Sequence, residues 1–174
     1  TKPEWLPAVL ERTEGFWAWL REFRGAELRS TSTEVLGYRS TIPPKTFDGI
    51  DTPIHILGLD SAWLCGAETT HNGIVLKDQG GIAATQEQID AHIRSGEHLL
   101  DGYRIALIHH PLDHLADHAA ARRILGDNGV DILLHGHQHE PSSIQTLESG
   151  STLRVLAAGC LVEGDLGKSW PNGF

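Results

Sequence analysis

Residues 103–141, YRIALIHHPLDHLADHAAARRILGDNGVDILLHGHQHEP, constrain the fold of this chain more than any other stretch. Arg104, Ile105, Ala106, Leu107 and Ile108 form a short apolar run that stops at His109-His110-Pro111. Asp131, Ile132, Leu133 and Leu134 form a second run that stops at His135-Gly136-His137-Gln138-His139. Between them, Leu115, Ala119, Ala120 and Ile124 recur at helical spacing, and Asp127-Asn128-Gly129 is a helix stop. Strand, helix and strand joined by short loops make a βαβ unit, whose strands lie parallel. Parallel neighbours bring their C-terminal ends together at the edge where α/β sheets collect ligands. Seven of the eleven histidines lie in this stretch. Both clusters are therefore expected at one edge.

Imidazole is the commonest metal ligand in proteins, and residues one apart on extended backbone point the same way. His137 and His139 can thus approach one metal or two adjacent metals, with Gly136 allowing a sharp turn and His109 arriving from the neighbouring strand. Three imidazoles suit zinc, iron, nickel or copper better than magnesium or calcium. Two plainer readings stay open: a His-rich surface loop, and core histidines satisfied by backbone hydrogen bonds.

The segment His109-His110-Pro111, followed by Gly136-His137-Gln138-His139, resembles the last two motifs of the calcineurin-like metallophosphoesterases. Gly58-Leu59-Asp60-Ser61-Ala62-Trp63 is similar to a stretch upstream of them in bacterial members. The resemblance covers about residues 50–165. It implies a four-layer α/β/β/α sandwich and hydrolysis of a phosphomonoester or phosphodiester at a binuclear centre of divalent or trivalent transition metals (Mn, Fe, Zn or Ni). It further implies that His109 and His137 hold one metal and His139 the other. His110, beside a ligand, is given a substrate-contacting or supporting role, and no catalytic residue is assigned. Substrates would be phosphoester small molecules or phosphoproteins.

The family's earlier motifs do not occur here: an Asp-x-His, a Gly-Asp-x-x-Asp or -Asn, and a Gly-Asn-His. Asp90-Ala91-His92 has the right letters but falls inside a helical pattern. Thr70-His71-Asn72-Gly73 reverses the order, and Gly126-Asp127-Asn128-Gly129-Val130-Asp131 is one residue too long and reads as a helix cap. Residues 1–174 are therefore expected to form one domain, the C-terminal portion of such an enzyme, with the missing N-terminal half as its partner. The start at Thr1 and the lack of methionine, where usage of about 2% would give roughly four, point to a partial or processed chain or to omitted modified methionines. Two other functions remain in view. One is a catalytically incomplete metal-binding or interaction fragment. The other is a histidine-triad nucleotide hydrolase, since His135, His137 and His139 have that spacing; Gly136, Gln138 and Glu140-Pro141 stand where apolar residues belong.

A surface with 14 basic and 23 acidic residues and no basic block disfavours nucleic acid and anionic membranes. Cys65 and Cys160 make neither a metal-type pair nor a disulfide framework, which fits reduced thiols in the cytoplasm. No apolar run approaches membrane length.

The rest of the chain supplies a mixed α/β pattern flanked by helices. Residues 4–23 carry Trp5, Leu6, Val9, Leu10, Phe16, Trp17, Trp19 and Leu20 at helical spacing, with a break expected near Gly15 and the aromatics expected in the core. Residues 33–41 read as a strand, and 54–59 as a central strand in which His55 is structural. Thr85 caps a helix whose buried stripe is Ile89, Ile93, Leu99 and Leu100, with His92 and His98 on its exposed side. Residues 143–147 and 152–157 make an antiparallel hairpin.

Overall fold

The computed structural model describes residues 6–24, 36–62, 70–71, 74–75, 85–96, 98–137, 142–148 and 151–158. The strands are β1 (Tyr38–Ile42), β2 (Ile54–Leu59), β3 (Thr70–His71), β4 (Ile74–Val75), β5 (Arg94–Ser95), β6 (His98–Leu99), β7 (Tyr103–Ile108), β8 (Ile132–His135), β9 (Ser142–Glu148) and β10 (Ser151–Ala157). The helices are α1 (Leu6–Arg24), α2 (Thr85–His92) and α3 (His118–Asp127), with a 3-10 turn at Leu112–His114.

Six strands form one mixed sheet in the order β1-β2-β7-β8-β10-β9. The inner four are mutually parallel, and β1 and β9 close the edges antiparallel. The βαβ unit read from the sequence is present: β7 and β8 pair in parallel, with Ile108 beside His135. The 142–157 hairpin and the mixed sheet also match expectation.

Alternation along the strands separates two faces. One carries His55, Leu57, Leu59, Ala106, Ile108, Leu133, Leu153 and Val155, all buried, against Ile89 and Ile93 near α2 and Ala121, Ile124 and Leu125 of α3. Each buried Leu, Ile or Val there contributes about 1.5–3 kcal/mol on burial, so this layer is the core. The opposite face carries Ile56, Ile105, Leu107, Ile132, Leu134 and Leu156, each only half-buried. Gly58 lies on that face too, and the Tyr38 ring from β1 occupies the space its Cβ would need. The sheet is thus apolar on both sides but covered tightly on one.

Several expectations are corrected. α1 runs unbroken through Gly15, and Phe16 (54% exposed), Trp19 (54%) and Phe23 (69%) are not core residues. They pack on one another, Trp19 stacked on Phe23 with centroids 5.5 Å apart and tilted against Phe16 at 6.1 Å. Helical spacing shows that a helix has an apolar side; it does not supply a surface to cover it. Half-buried Trp17 reaches the sheet, edge-on to Tyr38 at 6.4 Å. β1 begins at Tyr38 rather than 33, and residues 33–35 lie outside the described residues.

α2 ends at His92, not near Leu100. Gly96, at φ +65°, turns the chain into the β5–β6 ribbon, and Leu100 N–H donates to the Ile93 carbonyl at 2.9 Å. His98 therefore sits on a strand, where it is exposed as expected. His92 does not: it is 3% exposed, and its Nε2 bonds the Leu36 carbonyl at 2.7 Å. α3 starts three residues later than read because Pro111 and the 3-10 turn take up the entry. Its buried side is accordingly Ala121, Ile124 and Leu125, while Ala119 and Ala120 face out. Its end behaves as read. Gly129 adopts φ +64°, its N–H donates to Gly126, and Val130 N–H donates to Leu125, the paired bonds of a Schellman cap.

Candidate metal centre

The parallel inner strands all finish at one edge, so Asp60-Ser61 after β2, His109-His110 after β7 and Gly136-His137 after β8 lie side by side. Strand alternation continues for one step past β7. His109 is exposed, and His110 turns inward and is fully buried. Past β8 the backbone changes hand at His137, which has φ +67°. The sequence placed the sharp turn at glycine, but Gly136 keeps negative φ and its neighbour takes the left-handed conformation. Such a conformation is uncommon for a residue with a Cβ and costs about 1–2 kcal/mol. Strain of this kind gathers at functional sites.

The turn carries the His137 ring back over the end of β7. Its Nδ1 lies 3.2 Å from His109 Nε2. Two nitrogens held tetrahedrally by one zinc at about 2.0–2.1 Å lie roughly 3.3 Å apart, so the pair matches a shared coordination edge. With His110 the donors form one group, all within 4.8 Å of one another. The ring centroids make a nearly equilateral triangle: 4.8 Å for His109–His110, 5.1 Å for His109–His137 and 5.2 Å for His110–His137. This all-imidazole set fits a borderline transition metal better than magnesium or calcium. His139, the fourth residue of interest from the sequence, lies outside the described residues.

Three contributors went unread in the sequence. His114, on the 3-10 turn, places its ring edge-on to His137 at 5.7 Å. Its signal was the spacing HHP-Leu-Asp-His, which a helix starting later turns toward the site. Ser61 is 1% exposed, and its Oγ lies 2.9 Å from His110 Nδ1. Gln88, 1% exposed on α2, grips the same loop with both ends of its amide. Its Nε2 donates to the Asp60 carbonyl at 2.9 Å, and its Oε1 accepts from Asp60 N–H at 2.8 Å. Asp60 Oδ1 in turn accepts from Ala62 N–H at 3.0 Å.

Three further histidines, His55, His92 and His135, are buried and structural. His55 is buried between Thr41 Oγ1 at 3.0 Å and the Asp101 carbonyl at 2.7 Å, as read from the sequence. His135 is buried on the helix-covered face, with Nδ1 3.1 Å from the Gly136 carbonyl. Desolvation holds the pKa of buried His92 below its ordinary value, with the charge of Arg39 acting the same way and the bond to Leu36 opposing. His135 and His137 therefore do not share an extended face, and the backbone alternation that a histidine triad needs is broken.

A groove of ≈ 450 Å³ runs from α1 to this edge, with Phe16, Trp17, Tyr38, Asp60 and His109 among its walls. No helix among the described residues is long and apolar enough to cross a membrane.

No curated protein matches the chain. Among solved structures, "GAP50 the anchor in the inner membrane complex of Plasmodium" is 15% identical to it, over 74% of this chain, with a TM-score of 0.44. The chain spans 39% of that protein's length, and the likeness is too slight to bear on function. The family described as calcineurin-like phosphoesterase matches residues 29–141, a segment that contains β1, β2, β7, β8 and the histidine edge they build. This chain belongs to the calcineurin-like phosphoesterase family.

Proposed function

We propose that the chain carries the C-terminal half of a metal-dependent phosphoester hydrolase site, with His109 and His137 holding one metal of a binuclear centre and His139 the other. The observation that carries this is the 3.2 Å approach of His137 Nδ1 to His109 Nε2 at the strand edge. Metals bound there would supply Lewis-acid polarisation of a phosphoryl oxygen. The chain's own residues do the positioning. His109 and His137 present imidazole nitrogens, and the left-handed backbone at His137 fixes the second ring over the first. The aromatic groove beside His109 offers room for the organic part of a substrate.

The half-buried sheet face supports the further reading that a second layer completes the domain. Six apolar side chains from β2, β7, β8 and β10 are left partly open to water, as they would be in a four-layer sandwich lacking its other sheet. The histidine group contains no carboxylate among the described residues. An all-neutral donor set balances little of a metal's charge, which favours weak binding by the chain alone. Paired thiol chemistry being absent from the sequence, a reducing cytoplasmic setting fits this enzyme.

Hydrolysis of p-nitrophenyl phosphate and bis-p-nitrophenyl phosphate with manganese, zinc or nickel tests the proposal in the protein joined to its complementary layer. Turnover abolished by chelation and by His137→Ala is expected. Chelator-resistant turnover with a phosphorylated His137 would refute it.

A further inference from the structure

The groove that ends at His109 is walled by rings set across one another. Tyr38 lies along the sheet, its ring in the space where Gly58 lacks a side chain. Trp17 of α1 stands edge-on to Tyr38, with planes 76° apart and centroids at 6.4 Å. Phe16 follows, edge-on to Trp17, with planes 71° apart and centroids at 5.2 Å. All three line the same space of ≈ 450 Å³. A flat base or aryl group needs a parallel slot, and neither ring pair supplies one. The stacked pair, Trp19 on Phe23, is not part of these walls. Crossed rings form the corner of a cage instead, which meets a compact, rounded group from several sides at once. Phe16 is 54% exposed and Trp17 half-buried, so ring surface is open to such a group.

The charge of the walls narrows the choice. Asp60 is the only wall residue of fixed charge among the described residues, and it is negative. Leu59 pairs with Ile108, so one step further Asp60 and His109 are neighbours at the head of the groove. Gln88 fixes the Asp60 backbone with both ends of its amide, and Asp60 Oδ1 accepts from Ala62 N–H. Those bonds set the carboxylate in place, and its attraction for a cation acts through space alongside them. Aromatic faces, tryptophan above all, attract cations too. A chain of net charge −9 adds to the same field.

We propose that this groove is an aromatic cage for a trimethylammonium group, and that the substrates are phosphoesters of alcohols carrying one. The phosphate sits at the His109–His137 edge, and the ammonium sits against Trp17, Phe16 and Tyr38, within the field of Asp60. The phosphoester half of this rests on the metal reading of His109 and His137, whereas the cage stands without it.

Charge and shape separate in one pair of probes: choline and its carbon isostere, neohexyl alcohol. Both are titrated by NMR, with a chelator present, into the protein joined to its complementary layer. Choline should bind about 5- to 30-fold more tightly than the isostere. Trp17→Leu should erase that preference, Trp17→Phe should keep part of it, and Asp60→Asn should lower it, each with an unchanged far-UV circular dichroism spectrum. With manganese or zinc in place of the chelator, phosphocholine should bind more tightly than choline, a gain that His137→Ala removes. Equal binding of choline and its isostere, or a preference untouched by Trp17→Leu, would overturn the cage whatever the metals do. A choline preference with no gain for phosphocholine would confirm the cage and overturn its link to the hydrolytic site. Adenosine monophosphate binding more tightly than phosphocholine, and losing that binding on Trp17→Leu, would overturn the proposal in favour of a stacked base.

Discussion

Replacing His92 by alanine should be among the most damaging single changes to this fold, although the residue is not one of the clustered histidines. His92 closes α2, is 3% exposed, and holds the carbonyl of Leu36, itself 4% exposed, at 2.7 Å. That bond ties α2 to the segment entering β1. A second tie runs the other way, from Arg39 Nη1 to the His92 carbonyl at 2.9 Å, and it survives the substitution. Alanine leaves the Leu36 carbonyl buried without this donor, which costs about 1–3 kcal/mol. The vacated imidazole volume adds a cavity cost comparable to other large-to-small core changes, of which partial collapse leaves about 1–2 kcal/mol. A loss of roughly 2–5 kcal/mol should appear in urea unfolding at pH 7.5, as a lower midpoint with an unchanged slope. His98→Ala, on exposed β6, should stay within about 0.5 kcal/mol.

The same residue predicts a pH dependence. Burial depresses its folded-state pKa below the ordinary 6.5. Between the two values the unfolded chain binds the extra proton, so stability rises with pH across that interval. The contribution is complete above 6.5 and is lost as pH falls through the depressed folded value. The stability difference between wild type and His92→Ala should therefore shrink as pH drops below 6.5. A His92→Ala midpoint equal to that of His98→Ala, or a difference independent of pH, would refute the reasoning.

Three further outcomes follow from the geometry. His137→Gly removes the left-handed strain at φ +67° and should hold or raise stability by up to about 1 kcal/mol in thermal unfolding, while abolishing metal binding in calorimetric titration. Gly58→Ala places a Cβ against the Tyr38 ring and should cost about 1–3 kcal/mol, recovered in part by Tyr38→Ala in a double-mutant cycle. His109→Ala and His137→Ala should lower metal affinity alike and leave the metal-free melting temperature within a few degrees of wild type, since both side chains are exposed.

The convergence of His109 and His137 was legible because it follows from short-range rules. Two short apolar runs separated by one helical stretch make a parallel pair, and a parallel pair has one C-terminal edge. The inner strands, the α3 stop at Gly129 and the structural role of His55 were readable for similar reasons. Each is set by residues within a few positions, or by an uninterrupted apolar run. The site's depth was not readable in this way. Alternation past β7 turns His110 inward, but nothing local tells that it meets Ser61, because that partner lies 49 residues earlier, after β2. Nor does Gly136-His137 announce that the histidine rather than the glycine adopts positive φ.

The helices show the same division. Amphipathic spacing in α1 correctly predicted a helix but not the fate of its aromatics, for exposure of Phe16, Trp19 and Phe23 depends on what lies opposite. His92 and His98 looked alike in sequence. One ended inside because α2 stops there and the chain before β1 crosses over it; the other was carried outward by the turn at Gly96. Sequence by itself determined the parallel unit, the convergence of His109 with His137 and the family, since periodicity and strand order are properties of near neighbours. Tertiary structure alone decided which histidines are buried and which meet, because burial and contact come from surfaces that the chain brings together over long separations.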